Sequence, residues 1–109
     1  MRIATFAAAL GLTLVTIGLA ASDRSAPRTH TVTMEGMQFQ PEVLTVAAGD
    51  TVVWVNKDVV PHTATSDAAG FDSKYIQAGR SWTYTAASKG EFPYLCTLHP
   101  SMKAVLRVR

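Results

Sequence analysis

Apolar and polar residues alternate along several short stretches of the chain from position 30 onward. The first stretch places His30, Val32 and Met34 on one face and polar residues on the other. A period of two is typical of a half-buried β-strand. Similar runs follow, separated by turn-forming Gly, Pro and Asp residues. We predict strands or extended segments over residues 30–35, 37–41, 42–46, 51–56, 59–65, 81–85, 91–96 and 104–109.

The run over residues 51–56 is dense in β-branched and aromatic residues on both faces, which predicts a central strand. Residues 66–73 are rich in Ser, Asp, Ala and Gly and are predicted to form a surface loop, with Phe71 and Ile76 anchoring it to the core. After the first 21 residues no stretch shows a helical period. Short strands separated by turns indicate an antiparallel sandwich or barrel, and we predict an all-β sandwich.

The first 21 residues differ in composition from the rest. Met1-Arg2 is a short positive segment, and residues 3–21 carry no charge and end in small residues. This pattern predicts a signal peptide over residues 1–21, and hence a periplasmic mature protein. An uncleaved membrane anchor is the alternative, because the apolar run approaches the length that spans a bilayer. Residues 22–29 are predicted to be a flexible lead-in, and residues 30–109 the folded domain.

The charge balance restricts the range of partners. The chain has ten Lys or Arg residues against eight Asp or Glu, and loss of Arg2 with the leader leaves nine against eight. A nearly neutral chain without a basic run gives no basis for nucleic-acid binding. We expect a monomeric mature protein without stable membrane insertion.

The single cysteine lies close to two other metal-ligating residues. Cys96, His99 and Met102 occur at C-x2-H-x2-M spacing. Thiolate and thioether are soft donors that favour Cu(I), while imidazole also binds Cu(II) well. A lone cysteine in an exported protein cannot form an internal disulfide, so a metal bond, a reactive thiol or an intermolecular pair would explain it.

His62 is the natural candidate for a second imidazole. Strand ends of a sandwich cluster at one pole, where Cys96 closes one strand, His99 and Met102 lie in the following loop, and His62 begins another extended segment. The predicted site has Cys96, His62 and His99 in a trigonal plane with Met102 as a weak axial ligand. Each residue alone has an ordinary core or surface explanation. Zinc is the rival metal, but structural zinc sites prefer four strong ligands, so this donor set favours copper.

Further motifs make the chain resemble the cupredoxins, the small blue-copper family that includes plastocyanin, pseudoazurin and amicyanin. The motifs are Phe39-Gln40-Pro41, the run GDTVVWVN at 49–56, Pro61-His62 and the run GEFPYLC at 90–96. The likeness extends from Met37 to Val108, and the short interval between His99 and Met102 is most similar to amicyanin. The resemblance implies an eight-stranded Greek-key sandwich with one type 1 copper ion that transfers electrons between larger redox proteins.

The resemblance also implies roles for residues around the ligands. His99 is expected to present its edge to solvent, with Leu98, Pro100 and Pro61 forming an apolar docking patch. Amicyanin-like loops usually have proline where this chain has Leu98, and asparagine where it has Thr63. The asparagine links the ligand loops, so that link is lost unless the Thr63 hydroxyl replaces it. We expect the Thr63 N–H to donate to the Cys96 sulfur. Asn56 either ties the ligand loops together by side-chain hydrogen bonds or is an ordinary turn residue at a strand end.

The predicted function is that of a non-enzymatic copper protein which shuttles single electrons between transient redox partners, whose identity the sequence does not disclose. The alternative is copper delivery or storage, for which Met34, Met37 and His30 would be the extra ligands; alternation makes Met34 a core residue first. A third reading is a sandwich that binds no metal, which leaves the ligand set unexplained. One cysteine and three histidines are too few for a binuclear centre or a copper oxidase.

Overall fold

The computed structural model describes residues 4, 8–14 and 26–109. Most of the predicted signal peptide and the first part of the predicted lead-in lie outside these residues, so the division of the chain at residues 21 and 29 stays a prediction. Among the described residues, no helix is both long enough and apolar enough to cross a membrane.

The described chain forms two β-sheets that pack face to face. Its strands are β1 (Thr29–Glu35), β2 (Gln38–Gln40), β3 (Val43–Val46), β4 (Thr51–Asn56), β5 (Thr65–Ser66), β6 (Phe71–Asp72), β7 (Ser81–Thr85), β8 (Gly90–Cys96) and β9 (His99–Val108). One sheet has the order β2-β1-β4-β7, and the other has the order β3-β9-β8-β5-β6. The predicted all-β sandwich is confirmed, and β4 is an interior strand as expected.

The strand directions differ from the antiparallel arrangement that the sequence predicted. Strand β1 pairs with β4 in parallel, and β3 pairs with β9 in parallel, whereas the other pairs are antiparallel. The chain crosses from one sheet to the other between β2 and β3. Alternation of side chains identifies a strand but carries no information about its neighbour's direction, because the period of two is the same in both cases.

Two segments before β7 differ from their predicted form. The expected strand over residues 59–65 is mostly loop, in which His62 forms an isolated bridge with Ile76. The expected surface loop over residues 66–73 contains the β5–β6 hairpin. Phe71 and Ile76 are buried, as predicted.

The last strand begins five residues earlier than predicted. Strand β9 starts at His99, and Cys96 pairs with His99 across a tight turn at Thr97 and Leu98. The expected loop from Cys96 to Met102 is therefore only a turn, and His99 and Met102 lie on a strand. Pro100 and Ser101 made this segment look like a loop. Pairing with β8 includes His99 and Lys103, and the register shifts between them, so residues 100–102 form an irregular part of the strand.

The core lies between the two sheets and reaches the pole where β4 and β8 end and β9 begins. Trp54 is fully buried, and its ring centroid lies 5.5 Å from those of Phe71, Trp82 and Tyr94. Burial of such large apolar side chains contributes roughly 1.5–3 kcal/mol each. The ends of β4 and β8 therefore rest on a well-packed aromatic cluster.

Candidate metal centre

The Cys96 thiol and the His62 ring meet in the interior. The Cys96 sulfur lies 3.7 Å from Nδ1 of His62, and both residues are 0% exposed. Sulfur and nitrogen donors bind a first-row metal ion at about 2.3 and 2.0 Å, and two such donors about 120° apart are separated by about 3.7 Å. The observed pair fits two ligands of one ion.

His99 and Met102 lie on the strand that pairs with the end of β8. The His99 ring centroid is 5.4 Å from that of His62, with the ring planes 71° apart. Met102 is 3% exposed. Within residues 26–109 and the short described segments before them, no three His, Cys, Asp or Glu side chains converge into a single metal-binding cluster. The structure thus brings Cys96 and His62 into contact and places His99 and Met102 on the adjoining strand, and the complete ligand set stays a prediction.

Thr63 connects the two ligand-bearing segments. Its N–H donates to the Cys96 sulfur at 3.3 Å, as predicted. Its hydroxyl oxygen accepts a hydrogen bond from the Thr97 N–H at 2.9 Å and lies 3.1 Å from the Thr97 hydroxyl. The hydroxyl therefore provides a link between the segments, which is the role expected of asparagine at this position. A donor to the sulfur also disperses the charge of a thiolate.

Asn56 organises the approach to His62. Its side-chain amide donates to the carbonyl oxygens of Val60 and Ile76 at 2.8 and 2.9 Å, and its oxygen accepts from the Asp58 N–H at 2.9 Å. These bonds fix the loop before His62 and the strand segment that faces it. All of these bonds lie on the His62 side and none reaches the segment of Cys96, so the prediction that Asn56 ties the two ligand loops together is wrong.

Asp58 is a functional residue that the sequence reasoning missed. Its carboxylate lies 2.7 Å from Nε2 of His62 and accepts hydrogen bonds from the N–H groups of Gly36 and Met37. Desolvation raises the pKa of Asp58, but the hydrogen bonds from His62 and the two amides outweigh it and hold the pKa below its usual value. With Nε2–H donating to this carboxylate, Nδ1 keeps the lone pair that faces Cys96. The spacing Asp-x3-His, from Asp58 to His62, is the sequence feature that could have indicated this contact.

Apolar residues are exposed in both segments that carry the candidate ligands. We call Val59, Val60, Leu98 and Pro100 the apolar patch; Val59 is 93% exposed and Leu98 is 37% exposed. His99, which lies between Leu98 and Pro100 in the chain, is half-buried. The sequence indicated Leu98, Pro100 and Pro61 for this patch, and Pro61 is half-buried. It did not indicate the two valines, which were assigned to a strand.

A family model described as a cupredoxin-like domain matches residues 6–108. The chain belongs to the cupredoxin family. The predicted resemblance is confirmed, and the sandwich of two mixed sheets is the cupredoxin fold.

This cupredoxin has relatives among amicyanins and plastocyanins. It is 29% identical to an amicyanin-alpha of Methylorubrum extorquens, over 94% of this chain and 95% of the relative. It is 28% identical to a chloroplastic plastocyanin of Tetradesmus obliquus, over 94% of this chain and 78% of the relative. The amicyanin-like short interval after His99 agrees with the first of these relatives.

Solved structures give the same fold. An amicyanin variant in its Cu(I) form superimposes with a TM-score of 0.70 at 26% identity, covering 79% of this cupredoxin and 87% of that chain. A copper-containing nitrite reductase from Thermus scotoductus gives a TM-score of 0.69 at 34% identity, but this cupredoxin spans only 22% of that chain. The second likeness is therefore to one part of a much larger protein.

Proposed function

We propose that this cupredoxin is a periplasmic type 1 copper protein that carries single electrons between larger redox partners, with His62, Cys96, His99 and Met102 as the copper ligands. The observation that carries the proposal is the buried contact between the free Cys96 thiol and Nδ1 of His62. The relatives named amicyanin and plastocyanin, and the Cu(I) form of an amicyanin, support copper as the cofactor.

The protein's part in electron transfer is to hold its donor atoms in place. Bound copper supplies the one-electron chemistry by alternating between Cu(I) and Cu(II). Asp58 fixes the ring of His62, and Thr63 restrains the sulfur of Cys96 and the backbone of Thr97. Because these bonds are made within the protein, the ligand residues need little rearrangement when the oxidation state changes.

Access for a partner is provided by the apolar patch around the half-buried His99. A patch of a few side chains buries a small area, which suits a brief encounter with rapid release. Lys57 is exposed next to the patch and places a positive charge there, whereas the carboxylate of Asp58 is held by His62 and the amides of Gly36 and Met37. We expect the patch to dock donor and acceptor in turn, with the His99 edge as the shortest route to the ligands.

The deciding experiment is addition of Cu(II) to the purified apoprotein, followed by visible and EPR spectroscopy. We expect an intense blue thiolate-to-copper charge-transfer band and no such band in Cys96→Ser. His30→Gln is the matched control, because His30 contacts Asp50 at the other end of β4. Absence of the blue band in the parent protein would refute the proposal that it is an electron carrier.

Copper delivery or storage is the second candidate, and one observation bears on it. Of its three extra ligand candidates, Met34 is fully buried and His30 is held by Asp50, whereas Met37 is 40% exposed. A delivery protein should lose Cu(I) readily to a competing chelator, while a carrier should retain it and give fast, reversible voltammetry. Size-exclusion chromatography of the copper-loaded protein tests the prediction that the mature protein is monomeric.

A further inference from the structure

The turn between β1 and β2 has an unusual residue. Gly36 and Met37 are its two central residues, and both have positive φ angles, of 64° and 60°. Turns of this kind favour glycine, asparagine or aspartate, because other side chains crowd the backbone in the left-handed region. Glycine at position 37 would suit the backbone better. A methionine held in a disfavoured backbone conformation points to a use for its side chain.

Met37 and Met102 line the same pocket. Met37 is 40% exposed and Met102 is 3% exposed, and the volume of the pocket is 210 Å³. Glu42 and Lys103 form part of its wall. An exposed methionine and the predicted axial copper ligand therefore belong to the wall of one pocket, which also contains polar residues.

The turn that carries Met37 is joined to the candidate site by hydrogen bonds. The N–H groups of Gly36 and Met37 donate to the carboxylate of Asp58 at 2.8 and 3.0 Å, and the same carboxylate contacts His62 at 2.7 Å. Met37 is thus held near the ligands by its backbone, while its side chain remains accessible to solvent.

We propose that Met37 and Met102 form a two-thioether entry path along which Cu(I) is loaded into the copper site. Thioethers are neutral, soft donors, so they bind Cu(I) in preference to Cu(II). An exposed thioether captures Cu(I) from solution or from a donor, and the pocket passes the ion to Met102 and then to Cys96 and the histidines. No electron is exchanged in these steps, since copper stays Cu(I) throughout, and the Cys96 thiol releases its proton to solvent when the ion binds its sulfur. The inference rests on the proposed copper site.

The test is the rate at which the apoprotein takes up Cu(I) from a Cu(I)–bicinchoninate complex, followed by stopped-flow absorbance without oxygen. We expect Met37→Leu, which keeps the side-chain volume and removes the sulfur, to slow uptake by at least about tenfold, because a soft ligand is lost from the path. Met37→Gly should slow uptake as well, although it suits the backbone better. Uptake of aqueous Cu(II), the final blue band and the reduction potential should be unchanged.

Met34→Leu is the matched control, because it makes the same chemical change three residues away in the buried core, and we expect parental uptake. Glu42→Gln tests whether charge on the pocket wall, rather than sulfur, attracts the ion. The proposal is overturned if Met37→Leu loads Cu(I) at the parental rate, or slows Cu(I) and Cu(II) equally. If the parent protein binds copper with a blue band and Met37→Leu gives either of these results, the entry path alone is rejected. A parent without copper binding rejects both proposals.

Discussion

The amide of Thr63 donates a hydrogen bond to the sulfur of Cys96 at 3.3 Å, across 33 positions of the chain. Both residues are buried, and the Thr63 hydroxyl accepts the N–H of the residue that follows Cys96. Thr63 therefore makes two bonds to the Cys96 segment: it donates to the Cys96 sulfur and accepts from the backbone N–H of Thr97. The two ligand-bearing segments are joined by protein contacts in addition to any metal bond.

Replacement of Thr63 by valine should lower the stability of the apoprotein. Valine keeps the shape but removes the oxygen that accepts from Thr97, and loss of this part-buried hydrogen bond costs about 0.5–1.5 kcal/mol. Urea denaturation of the metal-free form measures the change. Thr63→Ser retains the hydroxyl and should lose less than valine does. Equal stability of the valine variant and the parent would show that the link contributes nothing.

Met102→Gln should retain copper and lower the reduction potential. The amide oxygen is a harder donor than a thioether, so it stabilises Cu(II) relative to Cu(I). A tenfold change in the relative affinity for the two oxidation states corresponds to about 59 mV for one electron. Voltammetry of the two copper-loaded proteins measures the shift. An unchanged potential would argue that Met102 is not the axial ligand.

Leu98→Glu should slow electron self-exchange between the oxidised and reduced forms, which needs no knowledge of the natural partners. If two molecules meet through the apolar patch, a carboxylate on each patch adds desolvation and like-charge repulsion to the encounter. We expect a decrease of about tenfold, the effect of roughly 1.4 kcal/mol, at low ionic strength, measured by NMR line broadening. Val43→Glu, on an exposed β3 residue, is the control. Equal effects of both substitutions would refute docking through the patch.

Asp50 should contribute stability that is lost in acid. Hydrogen bonds from the Arg28 amide, the His30 ring and the Ala47 amide lower the pKa of Asp50 from 3.8 to about 2. Because the folded-state pKa is the lower one, the contribution is complete above the unfolded-state value and declines as the pH falls from about 4 toward 2. Asp50→Asn should therefore be less stable than the parent at neutral pH, and the difference should shrink over that interval. Urea denaturation of both proteins at a series of pH values measures how the difference in their free energies of unfolding changes.

Local patterns of apolar and polar residues in the sequence predicted much of the fold. The alternation in residues 30–35 and 91–96 identified β1 and β8 with the correct inward faces, because a strand with one buried face requires a period of two. The segment around Pro61 and His62 was misread as a strand, since its valines suggested one. Its loop conformation depends on the buried bonds of Asn56, which pair residues that are 4 and 20 positions apart.

The sequence also shows the chemical types of the candidate ligands and their spacing. Cys96, His99 and Met102 lie within seven residues, and the donor chemistry alone favoured copper over zinc. Choosing His62 as the second imidazole needed only the expectation that strand ends meet at one pole. The structure supports that choice through the contact between His62 and Cys96.

The sequence by itself determined that the chain is an all-β sandwich with a soft donor set near its last turn, because side-chain periodicity and donor identity are local properties. Only the tertiary structure decided the parallel pairing of β1 with β4, the hydrogen bonds from the Gly36 and Met37 amides to Asp58, and the shared pocket of Met37 and Met102. These features depend on which distant segments pack together. That choice is made by the whole core, and no short pattern around Cys96 or His62 records it.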